Sequence, residues 1–234
     1  SSSQYQPSVT GLAGGKFVVT WRDDSGSSHD DGSGVGSGYD VWGRVYDGDG
    51  TGITSEFRVN SYTSGHQYEP SVSSLAGGQF VVTWRDDSGH SGGSGADVRG
   101  QVYSAAGVAV GTEFRVNTYF SGSQYEPSVA ALAGGGFVVS WRDDSGHDGG
   151  SGADIRGQRY DANGAAVGTE FRVNTHTGSS QYEPSVAALA GGGFVVSWRD
   201  DSGHDGGSGA DNLLGLHAAL YVVQALLVLY ESGN

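Results

Sequence analysis

The chain contains no cysteine and no methionine, and Lys16 is its only lysine. The missing cysteines exclude disulfides but leave the compartment open, since secreted proteins without disulfides are common. Positive charge is scarce: twelve Lys and Arg face twenty-six Asp and Glu, a formal net charge of -14. Such acidity excludes nucleic acid as a partner, because phosphate binding needs a positive footprint. It fits an extracellular or cell-surface protein, or one that binds cations. Catalytic phrases are missing too: there is no Gly-x-Ser-x-Gly, no His-Glu-x-x-His and no phosphate loop. No signal peptide is visible and the first residue is Ser1, which reads as a processed product or a segment of something longer.

What is present is glycine and aromatic residues: 43 Gly, 12 Tyr, 8 Phe and 5 Trp in 234 residues. They are arranged in repeats. The phrase Gln-Tyr-x-Pro-Ser-Val begins at Gln4, Gln67, Gln124 and Gln181, at spacings of 63, 57 and 57 residues. Residues 1–211 therefore read as one domain of four units, 4–66, 67–123, 124–180 and a truncated 181–211. The third and fourth units are identical over Gln124–Asp154 and Gln181–Asp211. Such copies argue against an enzyme, because catalysis needs one differentiated constellation.

Within a unit the pattern predicts four strands. In the third they are Tyr125–Leu132, Phe137–Arg142, Asp154–Tyr160 and Glu170–Asn174. Phe137, Val139 and Trp141 fall on one face of the second strand and Val138, Ser140 and Arg142 on the other, at the period of a strand. Glycine-rich stretches and Asp161-Ala-Asn-Gly164 supply turns. The fold class is therefore all-β, with four-stranded units as β-propeller blades, forming a four-bladed ring or part of a larger one. Tandem β-sandwiches are the competing architecture. Residues 212–234 change composition to Leu and Ala and predict an apolar C-terminal helix. The alternatives are degenerate third and fourth strands at Leu216–Val223 and Leu226–Glu231, or a membrane contact through 213–230.

Each second strand runs into an acidic, glycine-rich loop. Calcium takes six to eight oxygen ligands, and such loops can bend around it. The candidate ligands are Asp23, Asp24 and Asp40; Asp86, Asp87 and Asp97; Asp143, Asp144 and Asp154; and Asp200, Asp201 and Asp211. The competing reading is a solvated turn in which aspartates cap amides or pair with Arg142 and its equivalents. His90, His147 and His204 recur in these loops, where one imidazole per loop reads as an exposed turn residue rather than a metal ligand. Trp21, Trp84, Trp141 and Trp198 alternate with core residues and are expected inside. Trp42 stands where other units carry Arg99 or Arg156 and is expected as an exposed, ligand-binding aromatic.

The run Gly-Gly-x-Phe-Val-Val-[Ser/Thr]-Trp, Asp-Asp-Ser-Gly, Asp-[Val/Ile]-Arg-Gly-Gln-x-Tyr and Glu-Phe-Arg-Val-Asn resembles repeats of giant secreted proteobacterial proteins that also carry haemolysin-type calcium-binding repeats and adhesin modules. The resemblance covers residues 4–211 and implies a propeller-like fold and an extracellular setting. The Asp-Asp-Ser-Gly phrase also resembles the Asp-box turn of sialidases, a structural element. Together these readings predict a non-enzymatic, calcium-binding module for adhesion or ligand binding, with glycans as partners. The alternative is a structural, self-assembling subunit that associates through 212–230.

Overall fold

Phe-Val-Val-Ser-Trp places apolar side chains on both faces of its strand, so each copy demands cover on two sides. The structure, a computed structural model, meets that demand by standing sheets face to face. It describes residues 3–24, 38–90, 92, 94–147 and 149–201, and the backbone of 216–221. The first antiparallel sheet consists of β1 (Gln4–Gly11), β2 (Phe17–Asp23), β3 (Asp40–Tyr46) and β4 (Phe57–Arg58). The second consists of β5 (Gln67–Ser74), β6 (Phe80–Asp86), β7 (Asp97–Tyr103) and β8 (Ala109–Arg115). The third consists of β9 (Gln124–Ala131), β10 (Phe137–Asp143), β11 (Asp154–Tyr160) and β12 (Ala166–Arg172). The fourth contains β13 (Gln181–Ala188), β14 (Phe194–Asp200) and β15 (Leu216–Tyr221).

Each sheet keeps its strands in sequence order, and the first strands β1, β5, β9 and β13 touch successively. Sheets arranged around a shared line of innermost strands are propeller blades. The cores lie between blades. Val82 and Trp84 of blade two pack on Val18 and Val41 of blade one. Val139 and Trp141 of blade three pack on Val81 and Val98 of blade two. Blades three and four meet in the same way through Val138, Ile155, Val196 and Trp198. Trp84 and Trp141 are fully buried, as expected of these positions.

Three expectations are corrected. The fourth strand begins directly after its turn, at Ala166, and ends at Arg172, rather than spanning Glu170–Asn174. Its first half carries no buried apolar face to announce it: Val167 is exposed. The segment Leu216–Tyr221 is a strand rather than part of a helix, in line with the alternative of a third strand at Leu216–Val223. It pairs with β14 so that His217 faces Trp198, the register in which Arg156 faces Trp141. The fourth sheet thus takes its third strand from beyond residue 211. An open strand edge offers a row of unpaired backbone groups, and pairing there outweighs the modest helix preference of Leu and Ala. The other residues of the 212–234 segment lie outside the described set. Among the described residues no helix is long and apolar enough to cross a membrane. Finally, Trp42 is buried, at 5% exposure, and pairs in register with Trp21 across β2 and β3. A strand position covered on both faces cannot present its side chain to a ligand.

Strand three also explains its glycine. A Cβ on Gly100 would lie 2.6 Å from Phe114 Cζ, so the glycine makes room for the phenylalanine of the Glu-Phe-Arg-Val-Asn phrase.

Candidate functional site

The aspartates at the strand ends are held by amides. Gln67 Nε2 donates to Asp86 Oδ1 at 3.2 Å, Gln124 to Asp143 at 3.1 Å, and Gln181 to Asp200 at 3.2 Å. Gln4 donates likewise to Asp23 at 3.0 Å. Across each strand pair, Asp40, Asp97 and Asp154 accept from Asn60, Asn117 and Asn174 at 2.6, 2.8 and 2.7 Å. The same asparagines reach the Gln of the following blade, as in Asn117 Nδ2 to Gln124 Oε1 at 3.0 Å. A run of amides and carboxylates therefore stitches each blade to the next. The second aspartate of each pair goes elsewhere: Asp87, Asp144 and Asp201 are held by Arg85, Arg142 and Arg199 through Nε at 2.8, 2.8 and 3.0 Å. Asp24 accepts from the Ser3 N–H at 2.6 Å. Thus Asp86 and Asp97 share a cross-strand rung while Asp87 is tied to Arg85. Asp211 and His204 lie outside the described residues.

A second cluster surrounds the buried arginine of strand three. Arg99 Nε lies 3.2 Å from Asp86 Oδ2, and its Nη1 lies 3.5 Å from Glu113 Oε1. His90 Nδ1 is 3.3 Å from Asp86 Oδ2, and the Tyr62 ring stacks on the imidazole at 3.3 Å between centroids. Burial, with the Arg99 charge adding to it, holds His90 below the usual imidazole range. Blade three repeats the cluster with Asp143, His147, Arg156, Glu170 and Tyr119. There Arg156 Nη2 lies 2.8 Å from His147 Nε2. A guanidinium can only donate, so that nitrogen accepts and the ring proton sits on Nδ1, toward Ser145 Oγ at 3.0 Å. These histidines are partly buried members of a charge cluster, not the exposed turn residues expected. Asp86, His90 and Glu113 offer ligand atoms within 4.8 Å of one another, a donor set able to hold a metal ion. Only Asp86 of that trio belongs to the expected calcium ligands. The Arg99 guanidinium sits between the two carboxylates and balances their charge.

The third assembly lies at the innermost strands. Each first strand has an irregularity in its pairing at Gln-Tyr-x-Pro. The residue before the proline adopts a left-handed backbone: Gln6 at φ 52°, Glu69 at 53°, Glu126 at 55° and Glu183 at 53°. Glutamate in that region costs about 1–3 kcal/mol and needs its surroundings to hold it there. The holding groups are the equivalent side chains of the preceding blade. Gln6 Oε1 accepts the Glu69 N–H at 3.2 Å, Glu69 Oε2 that of Glu126 at 2.7 Å, and Glu126 Oε2 that of Glu183 at 2.6 Å. Burial pushes the Glu126 carboxyl above the usual range, and Glu69 and Glu183 push the same way. The Glu183 N–H and the Arg142 guanidinium partly offset this.

Beside these carboxylates runs a belt of alternating rings and guanidinium groups. Arg22 lies over Tyr5 and Tyr68, Arg85 over Tyr68 and Tyr125, and Arg142 over Tyr125 and Tyr182, at 4.5–5.4 Å. Arg85 Nη1 comes within 4.0 Å of Glu69 Oε1. The axial glutamates occupy the variable x of Gln-Tyr-x-Pro-Ser-Val. Sequence reasoning passed over them. Their signal is an acid before proline at one fixed place in three units, with Gln6 in the first.

No family model matches the chain, and no curated protein matches it. Solved structures do. An α-L-arabinofuranosidase from Fusarium graminearum, Arb93A with an iminosugar inhibitor, aligns at TM-score 0.60 and 14% identity, over 94% of this chain and 67% of that one. The Hadza microbial sialidase Hz136 aligns at TM-score 0.59 and 11% identity, over 85% of this chain. The chain spans 42% of that sialidase's length. An α-L-arabinofuranosidase from Lactobacillus brevis aligns at TM-score 0.53 and 9% identity, over 94% of this chain and 72% of that one. At such identities the likeness establishes the fold. These neighbours are enzymes that act on sugars, which overturns the expectation of a non-enzymatic module for adhesion or ligand binding and its alternative, a structural subunit packed through its C-terminal segment. The chain aligns with propellers that perform chemistry.

Proposed function

We propose that this chain is a glycan-processing propeller that cleaves a glycosidic bond at its axial end, with Glu126 as proton donor. The carrying observation is the set of neighbouring carboxylates on the innermost strands, of which the central one is pushed up by burial and by its two neighbours. A carboxyl that holds its proton more tightly than an ordinary glutamate is the better placed of the three to give it to the leaving glycosidic oxygen. Glu69 or Glu183 then takes the proton of the attacking water, or attacks the anomeric carbon itself before water completes the cycle. Tyr68, Tyr125 and Tyr182 line the same end and supply ring faces for sugar C–H groups, while the arginines between them supply donors for hydroxyl or carboxylate groups. The activities named for the structural neighbours, on arabinofuranosides and sialosides, select the first substrates to try.

The test is release of aryl alcohol from aryl α-L-arabinofuranosides and aryl sialosides, and of reducing ends from a polysaccharide panel. Wild type should turn over at least one of these. Glu126→Gln should lose at least a hundredfold in kcat at neutral pH while retaining its melting temperature, the scale expected for removal of a general acid. Turnover by Glu126→Gln equal to wild type, or no turnover on the whole panel, overturns the proposal.

A further inference from the structure

Blades pack by a fixed pairing of unlike faces. One face, represented by Val72, Phe80 and Tyr103 in blade two, receives the opposite face of the preceding blade, represented by Leu12, Val18 and Val45. Val72 is 7% exposed, and its equivalents Val129 and Val186 are each 8% exposed. In blade one the same position, Val9, is 64% exposed, and Tyr5 beside it is 43% exposed. Phe17 of that face is only partly covered, whereas its counterparts Phe80 and Phe137 are fully buried. The opposite face of blade four is open as well. Ala187 is exposed and Val195 half-buried, where the counterparts Ala130 and Val138 are buried beneath blade four. β1 and β13 do not touch in the way that β1 and β5, β5 and β9, or β9 and β13 do. Among the described residues, then, the end faces of blades one and four stand uncovered, and they are unlike faces of the kind that pair between successive blades.

We propose that these end faces dock a second copy of this chain head to tail, blade one of one copy against blade four of the other. The fit is already present three times within the molecule. Blade four is residue for residue blade three over its first two strands, Gln181–Asp200 against Gln124–Asp143, so it offers a partner the surface that blade three offers to blade four. Blade one repeats the complementary features in Gln4-Tyr5, Pro7-Ser8-Val9 and Phe17-Val-Val-Thr-Trp21. The polar stitching continues in register too. Ser8 Oγ accepts the Val72 N–H at 3.2 Å, Ser71 that of Val129 at 3.2 Å, and Ser128 that of Val186 at 3.1 Å. Ser185 presents the next hydroxyl at the open face of blade four, and Val9 the corresponding N–H at the open face of blade one. An interface between unlike faces closes into a ring or extends as a filament. Either arrangement continues the axial row of glutamates from Glu183 of one copy to the Gln6 position of the next.

Sedimentation velocity and light scattering of the full chain, from about 1 to 100 μM, test this. Wild type should reach a mass of two or more copies. Val9→Arg and Ala187→Arg each place a charge on one end face at a position exposed in the single chain, so folding is spared, and each variant should remain a single copy. An equimolar mixture should recover a mass of two copies and go no further, because one sound face remains on each variant and these two are complementary. Wild type at single-copy mass over the whole range overturns the proposal and assigns the end faces to blades from another source. Association untouched by both variants, or a mixture that stays at single-copy mass, overturns it as well.

Discussion

Glu126 sits at a strained, left-handed backbone position, directly before a proline, between two other carboxylates. A residue before proline favours extended backbone, and left-handed φ is rare outside glycine, Asn and Asp, so nothing local selects this conformation. In blades two to four the residue's own N–H, donated to the equivalent side chain of the preceding blade, helps to hold it there. The raised carboxyl has a consequence for stability with a definite sign. The native state holds the Glu126 proton more tightly than the unfolded chain does, so this group favours folding most below the ordinary value of 4.5. That contribution is lost as pH rises from there through the raised native value. Replacing Glu126 with Gln should therefore flatten the fall of the melting temperature with rising pH above 4.5. A variant whose pH profile parallels that of wild type would show that the carboxyl titrates normally.

At the scale of the element, the junction between blades is built from short phrases far apart in the chain. Asn117 follows β8, yet its Oδ1 accepts the Val98 N–H at 2.8 Å. Its Nδ2 lies within 2.8 Å of Asp97, 3.0 Å of Gln124 and 2.7 Å of the Tyr119 carbonyl. It thereby closes the outer strand onto β7 and ties both to the next blade. Tyr103 and Tyr160 add a buried hydroxyl each, donating to the Val59 and Val116 carbonyls of the preceding blade at 2.7 and 2.9 Å. Asn117→Ala leaves a buried carboxylate and a buried N–H short of partners, which should cost about 3 kcal/mol of unfolding free energy. Urea unfolding measures it. A loss below about 1 kcal/mol would mean that water replaces the asparagine and the junction is not dry.

For the molecule as a whole, charge sets the response to solvent. At -14 the chain repels itself at neutral pH, and salt screens exposed charges beyond about 10 Å at 0.1 M. The buried arginine pairs, such as Arg156 Nε with Asp143 at 2.7 Å, are shielded from that screening. The melting temperature should therefore rise between 10 and about 300 mM sodium chloride at pH 7, the range over which screening takes effect. Calcium chloride at matched ionic strength separates screening from binding. Only calcium binding at the acidic loops, the expectation drawn from the sequence, would add a further rise specific to calcium. Identical shifts would assign the whole effect to screening and leave charge balance to Arg85, Arg99 and Arg142.

Read alone, the chain settles that it is all-β, that it repeats four times, where second and third strands run, and that Trp84 and Trp141 are inside. These follow from side-chain alternation and spacing, which are local. Several features were out of reach because they arise from residues brought together across blades. Trp42 looked exposed because it replaces an arginine, but packing on both faces of β3 buries it whatever its type. The sequence leaves the segment Leu216–Tyr221 between helix and a degenerate third strand, because propensity cannot register a waiting strand edge; pairing with β14 decides for the strand. The axial glutamates looked like a variable position because only the convergence of four innermost strands makes them neighbours. Burial, which pushes the Glu126 carboxyl up, and the openness of the two end faces are likewise properties of the assembled blades, set by what stands beside each surface rather than by the order of residues along it.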